Sequence, residues 1–248
     1  VFFFFPLVTP PKAYPADSLF SHIAWPNDPT RYGPVWVLPT SALYSIWPSL
    51  YSFKLITVLC YLGTLYLIKK LAKTDRAVIF LAFNPLLIVE YYLGTHTDIA
   101  MTFLALLAIY KLSWPAMFGS LLVKITSLPL SVGFFIKNAY VWISLAYLGS
   151  LIIITAWSIN PWYFTLPVIL SALVLKSYFH KYLAISLSLA AVVRYIPLLY
   201  MGPFDPHNKI RAFLFLILLV PFGLWTLRRV LINIRDPKFY MASESILK

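Results

Sequence analysis

The chain has 248 residues, of which 61% are hydrophobic, 18% aromatic and only 11% charged, and its mean hydropathy is +0.82. That composition excludes an ordinary soluble domain and predicts a chain that crosses a bilayer several times. A net charge of +12 would suggest a nucleic-acid partner in a soluble protein, but here the Lys and Arg residues gather at the ends of apolar runs, which is a mark of membrane topology and argues against nucleic acid.

A single cysteine, Cys60, lies within an apolar run, which excludes an intramolecular disulfide and argues against a thiolate metal or redox centre. His22, His96, His180 and His207 are too scattered to form a metal site, so no metal or other cofactor is expected.

The chain opens on VFFFFPLV, with neither an initiator methionine nor the charged start of a signal peptide. Eight apolar residues are too few to cross a bilayer, and the expectation is a fragment whose preceding span has been lost. Residues 1–34 then read as an external loop rich in Pro, Tyr, Trp and Asp. Within it Asp17, His22, Trp25 and Asp28 set acids and a histidine near aromatics, a composition suited either to gripping a sugar or phosphate or to capping turns. The run from Val35 to Trp47 is bounded by Pro34 and Pro48 and is too short to span, so an interfacial helix is expected. Leu50 to Ile68 is a full span, and its basic end at Lys69, Lys70, Lys73 and Arg76 should be cytoplasmic.

Ala77 to Tyr92 returns outward and carries part of the most informative stretch, Phe83 to Asp98, FNPLLIVEYYLGTHTD. Pro85 has no N–H to donate and frees the carbonyl of Leu81, which Asn84 could satisfy. Gly94 is expected to break the chain before His96 and Asp98, so that Glu90, His96 and Asp98 meet at one turn. Ionisable groups gathered in an apolar region are a functional site by default, the plainer alternative being a solvated turn.

Ser113 to Asn138 decides the topology. A single crossing would leave 7 basic residues inside against 10 outside, whereas a re-entrant hairpin leaves 13 inside and 4 outside, so the positive-inside bias favours the hairpin. Its tip would fall near Lys124 to Pro129, about 15 Å into the bilayer. A lysine there needs a carboxylate, a phosphate or water. Asn160-Pro161-Trp162-Tyr163 would share the external face with His96 and Asp98, Phe164 to Leu175 would return inward, and Leu183 to Tyr200 would carry Arg194 outward, to snorkel or to bind an anion. A last span, Ile210 to Leu227, completes a membrane domain at 35–235, followed by a cytoplasmic tail at 236–248. The predicted fold is all-α: a polytopic transmembrane helical bundle with a re-entrant hairpin and an external aromatic-rich loop.

Taken in order, Tyr32-Gly33-Pro34 leading into an apolar run, Asn84-Pro85 followed by Glu90, Gly94, His96 and Asp98, a lysine in an apolar hairpin, and Pro161-Trp162-Tyr163 resemble the GT-C membrane glycosyltransferases, most closely the bacterial polyprenol-phosphate-mannose-dependent mannosyltransferases. Each motif alone is weak; their order is what carries the resemblance. The chain departs from the family's usual His-Asn-Asp in reading His96-Thr97-Asp98. The resemblance also puts the usual catalytic acid ahead of Tyr14-Pro15-Ala16-Asp17, upstream of Val1, which would leave this fragment inactive as it stands.

What the resemblance implies is transfer of a hexose, mannose, from a polyprenyl-phosphate-linked donor to a glycan or glycolipid acceptor on the extracytoplasmic face of the plasma membrane. The expected acid-base and orienting residues are Asp98, Glu90, His96, Asp17 and Asp28. Lys124 and Arg194 would neutralise the donor phosphate, and Trp25, Tyr32, Trp162 and Tyr163 would stack on sugar. The rival reading is a transporter or lipid flippase using the same intramembrane charges as a relay.

Overall fold

The structure, a computed structural model, describes residues 11–13, 27, 32–134, 160–193, 195, 223–225, 227–228 and 230–231. All regular structure among these residues is helical. Helix α1 (Pro34–Ile46) begins on a proline, whose ring pre-sets the helical φ at a position where an N–H would have no intrahelical acceptor. Helix α2 (Leu50–Ala72) starts at Ser49, whose hydroxyl accepts from the Tyr51 N–H at 3.3 Å, and stops at Lys73, which is left-handed at φ 53°. Lys69 and Lys70 fill its last turn, where cations meet the free carbonyls.

With 23 residues α2 is about 34 Å long, enough to cross a bilayer. Only 22% of its apolar window is buried, and Leu55, Leu59, Leu62 and Tyr66 stand exposed, unlike the covered core helix of a soluble protein. Among the described residues it is the one helix long and apolar enough to cross a membrane. Helices α3 (Asp75–Ala82) and α4 (Pro85–Leu93) pass together as a second, broken span, bent by 53°.

At the break between α3 and α4, Asn84 satisfies the Leu81 carbonyl as expected, through its backbone. The Leu81 carbonyl freed by Pro85 accepts from the backbone N–H of Asn84 at 3.0 Å and from the Tyr61 hydroxyl of α2 at 2.8 Å. The Asn84 side chain serves α4 instead: its Oδ1 caps the Leu87 N–H at 3.3 Å and accepts the Ser188 hydroxyl at 2.7 Å. Helix α4 widens into a π turn over Ile88–Leu93, a local feature that often accompanies functional sites. The chain breaks at Gly94, as expected, with Gly94 at a right-handed φ of −83° and Thr95 left-handed at φ 61°. Gly94 is required for closeness: a Cβ there would lie 3.0 Å from the Val89 carbonyl oxygen and 3.1 Å from that of Glu90.

Helix α5 (Asp98–Lys111) packs between α2 and α6 (Trp114–Val123), and the Ser120 hydroxyl of α6 donates to the Met101 carbonyl at 2.8 Å. Helix α6 ends at Lys124, which is extended, and a 3-10 stretch, Ile125–Phe134, follows. The α-helix therefore stops where the hairpin tip was expected; the expected returning arm beyond Phe134 lies outside the described residues. A 3-10 turn, Pro161–Phe164, leads into α7 (Thr165–Ser171), which is buried on every side, and α8 (Tyr178–Val193) packs on α7 and α4. The core runs through Ile68, Leu86, Leu87, Ile99, Leu106 and Ile169.

The segment before α1 is pinned to α6. The Gly33 N–H donates to the Val123 carbonyl at 2.9 Å, and a Cβ at residue 33 would sit 2.0 Å from the backbone oxygen of Leu122. Gly33→Ala should therefore force the two backbones apart and cost about 1–3 kcal/mol, read as a lowered midpoint of thermal unfolding in detergent. An unchanged midpoint would show that this contact does not hold the segment in place.

Candidate active site

Two charges meet where the start of α5 faces the end of α6. Lys124 Nζ donates to Asp98 Oδ1 at 2.7 Å, with the lysine side chain 16% exposed and the aspartate side chain 4%. Asp98 is the first residue of α5, where the free N–H groups favour an anion; Lys124 caps the C-terminus of α6, where the free carbonyls favour a cation. The second carboxylate oxygen, Asp98 Oδ2, is buried and has no hydrogen-bond partner. The Lys124 ammonium also stands 5.9 Å from the ring centre of Tyr32 and 6.0 Å from that of Tyr163, so two phenol rings cage it. Burial, then the Asp98 charge, raises the Tyr32 hydroxyl above its usual range and keeps it protonated.

Beside this pair lies a second carboxylate. Glu90, on the π turn of α4, is 0% exposed, and its Oε1 accepts the Tyr195 hydroxyl at 2.5 Å. Its Oε2 lies 3.2 Å from Nε2 of His96, within ion-pair distance but outside hydrogen-bond alignment. The His96 ring stacks on Trp162, with centroids 4.5 Å apart and planes 22° from parallel. Trp162 meets Tyr163 edge-on at 5.8 Å, and Asn160 Nδ2 donates to the Tyr163 hydroxyl at 3.3 Å. The segment around Pro161 is thus locked against the α4–α5 turn through His96.

Of the residues singled out from the sequence, the structure brings together Glu90, His96, Asp98, Lys124, Tyr32, Trp162 and Tyr163. The ring of Trp162 already has one face covered by His96, and Tyr32 and Tyr163 attend the lysine. Asp17, Trp25, Asp28 and Arg194 lie outside the described residues. Tyr195 was missed: it is one of 17 tyrosines, and no local pattern marks it as the partner of an acid 105 residues away. No group of three or more His, Cys, Asp or Glu side chains able to hold a metal occurs among the described residues.

Burial lowers the pKa of His96, Asp98 pulls it back up, and Lys124 lowers it again; burial is the largest of the three and the net shift is downward. The imidazole therefore stays neutral to lower pH than an exposed histidine. A nitrogen-15 NMR titration in detergent should find the His96 midpoint below that of an exposed histidine. A midpoint at or above the exposed value would show that the ring is not enclosed as described.

No curated protein and no solved structure matches the chain. A family model described as the alpha-(1->6)-mannopyranosyltransferase N-terminal domain of the MptA_B family matches residues 20–146, just over half of the chain and the part that holds Glu90, His96, Asp98 and Lys124. That assignment favours the transferase over the transporter reading. The chain belongs to the MptA_B family and is a mannosyltransferase.

Proposed function

We propose that this chain is a GT-C-type enzyme that transfers mannose from a polyprenyl-phosphate donor to a hydroxyl of a glycan or glycolipid on the extracytoplasmic face of the plasma membrane. The observation that carries the reading is the buried Lys124–Asp98 pair: a cation and a carboxylate, caged by tyrosines, in a member of a mannosyltransferase family. Lys124 holds the donor phosphate. A carboxylate takes the proton of the acceptor hydroxyl as its oxygen bonds to C1 of the sugar, and the C1–O bond to phosphate breaks with its electron pair going to the leaving polyprenyl phosphate. The transition state resembles an oxocarbenium ion, as in other glycosyl transfers, and the phosphate leaves without being protonated.

Asp98 is the carboxylate beside the lysine. Glu90 and His96 form the wall that orients the acceptor, and the sugar is held against the Trp162 and Tyr163 rings. Several further spans complete the membrane domain, with the tip of the hairpin near Lys124 to Pro129 and the chain's end in the cytosol. The exposed apolar stripe of α2 and the broken α3–α4 pair support that placement.

Lys124→Met and Asp98→Asn should each lower transfer by about 10²-fold or more, the scale of losing one charge-stabilising group at a reacting centre. The measurement is incorporation of radiolabelled mannose from a lipid-phosphate donor by membranes holding the full-length protein. Undiminished transfer by either variant removes that residue from the site. A reporter enzyme fused after Lys248 should be active only if its required compartment is the cytosol, and the opposite result inverts the topology.

A further inference from the structure

We propose that the Lys124–Asp98 ion pair is the resting form of the donor site: the phosphate of the incoming lipid displaces the Asp98 carboxylate from Lys124, and only then can Asp98 receive the acceptor hydroxyl. This rests on the reading of Lys124 as the phosphate holder. It goes further in making Asp98 the group that occupies the phosphate's place until the donor arrives, and so in ordering donor before acceptor.

Four observations lead there. Asp98 Oδ1 is engaged by Lys124 at 2.7 Å, so in the resting site the candidate base is held by a cation. Its other oxygen is buried and unpartnered, an anionic group kept in place by a single strong contact. The ammonium of Lys124 is the donor that Asp98 Oδ1 takes, and a phosphate oxygen accepts from an ammonium as a carboxylate oxygen does, so the two compete for the lysine. Finally, the two partners differ in freedom. Asp98 is short and fixed on a packed helix, whereas Lys124 has a flexible four-carbon stem at the break between α6 and Ile125–Phe134, with its ammonium near the rings of Tyr32 and Tyr163. The lysine is therefore the partner that swings.

One buried ammonium cannot neutralise two anions, and a carboxylate and a phosphate both on Lys124 would repel each other in surroundings that screen them poorly. Arrival of the donor thus separates the original pair. The acceptor then loses its proton to Asp98, its oxygen bonds to C1, and the C1–O bond to phosphate breaks. After the polyprenyl phosphate leaves and Asp98 gives up its proton, the ion pair forms again and the site is closed to an acceptor arriving alone.

The test is calorimetric binding of farnesyl phosphate to the purified full-length protein in detergent. If Asp98 competes with phosphate, Asp98→Asn should bind farnesyl phosphate about tenfold more tightly than the unaltered protein, because the competent state no longer has to be freed. Equal or weaker binding by this variant overturns the exchange. Lys124→Gln should lose binding; retained binding would instead refute Lys124 as the phosphate holder, so failure of the two readings can be told apart. Inorganic phosphate, which carries the headgroup without the lipid, should show the same ratio between variant and unaltered protein at weaker absolute affinity, and a ratio of one would overturn the exchange. In the unaltered protein, whose folding is not in question, carbon-13 aspartate labelling should reveal an infrared carboxylate band shifting from ion-paired to free on addition of farnesyl phosphate. No shift would overturn the exchange as well.

Discussion

A cation and an anion removed from water must be given to each other or left at a cost of several kcal/mol, and the meeting of Lys124 with Asp98 is the constraint around which the described part of this chain is arranged. It fixes which ends of which helices coincide. Helix α5 must begin where α6 stops, and both helix ends then present to the charge the backbone groups that favour it. The Ser120 hydroxyl on the Met101 carbonyl holds the same two helices one turn deeper, and the Gly33 backbone on Val123 brings Tyr32 up to the lysine. The break of α6 at Lys124 is thus part of the site: a continued helix would carry the residue after Val123 past the start of α5.

Glu90 does for α8 what Asp98 does for α6. Two polar rungs join α4 to α8 and its continuation, Asn84 to Ser188 and Glu90 to Tyr195. They lie six residues apart on one side and seven on the other, about two helical turns, so the pair sets both register and direction between segments roughly a hundred residues apart in the chain. The π turn matters here because it widens the helix at Glu90 and leaves Oε2 facing His96. Through the stack of His96 on Trp162, the same carboxylate also fixes the segment that delivers Tyr163 to the lysine.

Polarity out of place is what made part of this site legible in the sequence. Glu90, His96, Asp98 and Lys124 stand out because each interrupts an apolar run, and a charge in such a run requires a partner whatever the fold. The partners themselves were less legible. Tyr195 resembles every other tyrosine of an aromatic-rich chain, and Asn84, which meets the Leu81 carbonyl through its backbone as expected, also accepts from Ser188 through a side-chain oxygen that nothing nearby in the sequence pairs with it. The left-handed residue beside the expected break at Gly94 is Thr95, while Gly94 itself lies close to two carbonyls. In each case the deciding neighbour comes from a packing contact, which leaves no periodic trace along the chain. Helix boundaries and their caps at Ser49, Thr74 and Ser113 are local, and the sequence carries them directly.

Charge conservation links the resting pair to the proposed reaction. A mannosyl lipid phosphate is a phosphodiester with one negative charge, which the single ammonium of Lys124 can balance. When it replaces Asp98, the carboxylate is left without its cation at the moment an acceptor proton becomes available. Transfer turns the diester into a monoester and adds a negative charge beside Lys124, while protonation removes one from Asp98, so the buried site holds the same net charge before and after the step. A low-dielectric pocket opposes any step that changes its net charge far more than one that moves charge across a few ångströms. One lysine flanked by one exchangeable carboxylate is the smallest set of side chains that meets this condition.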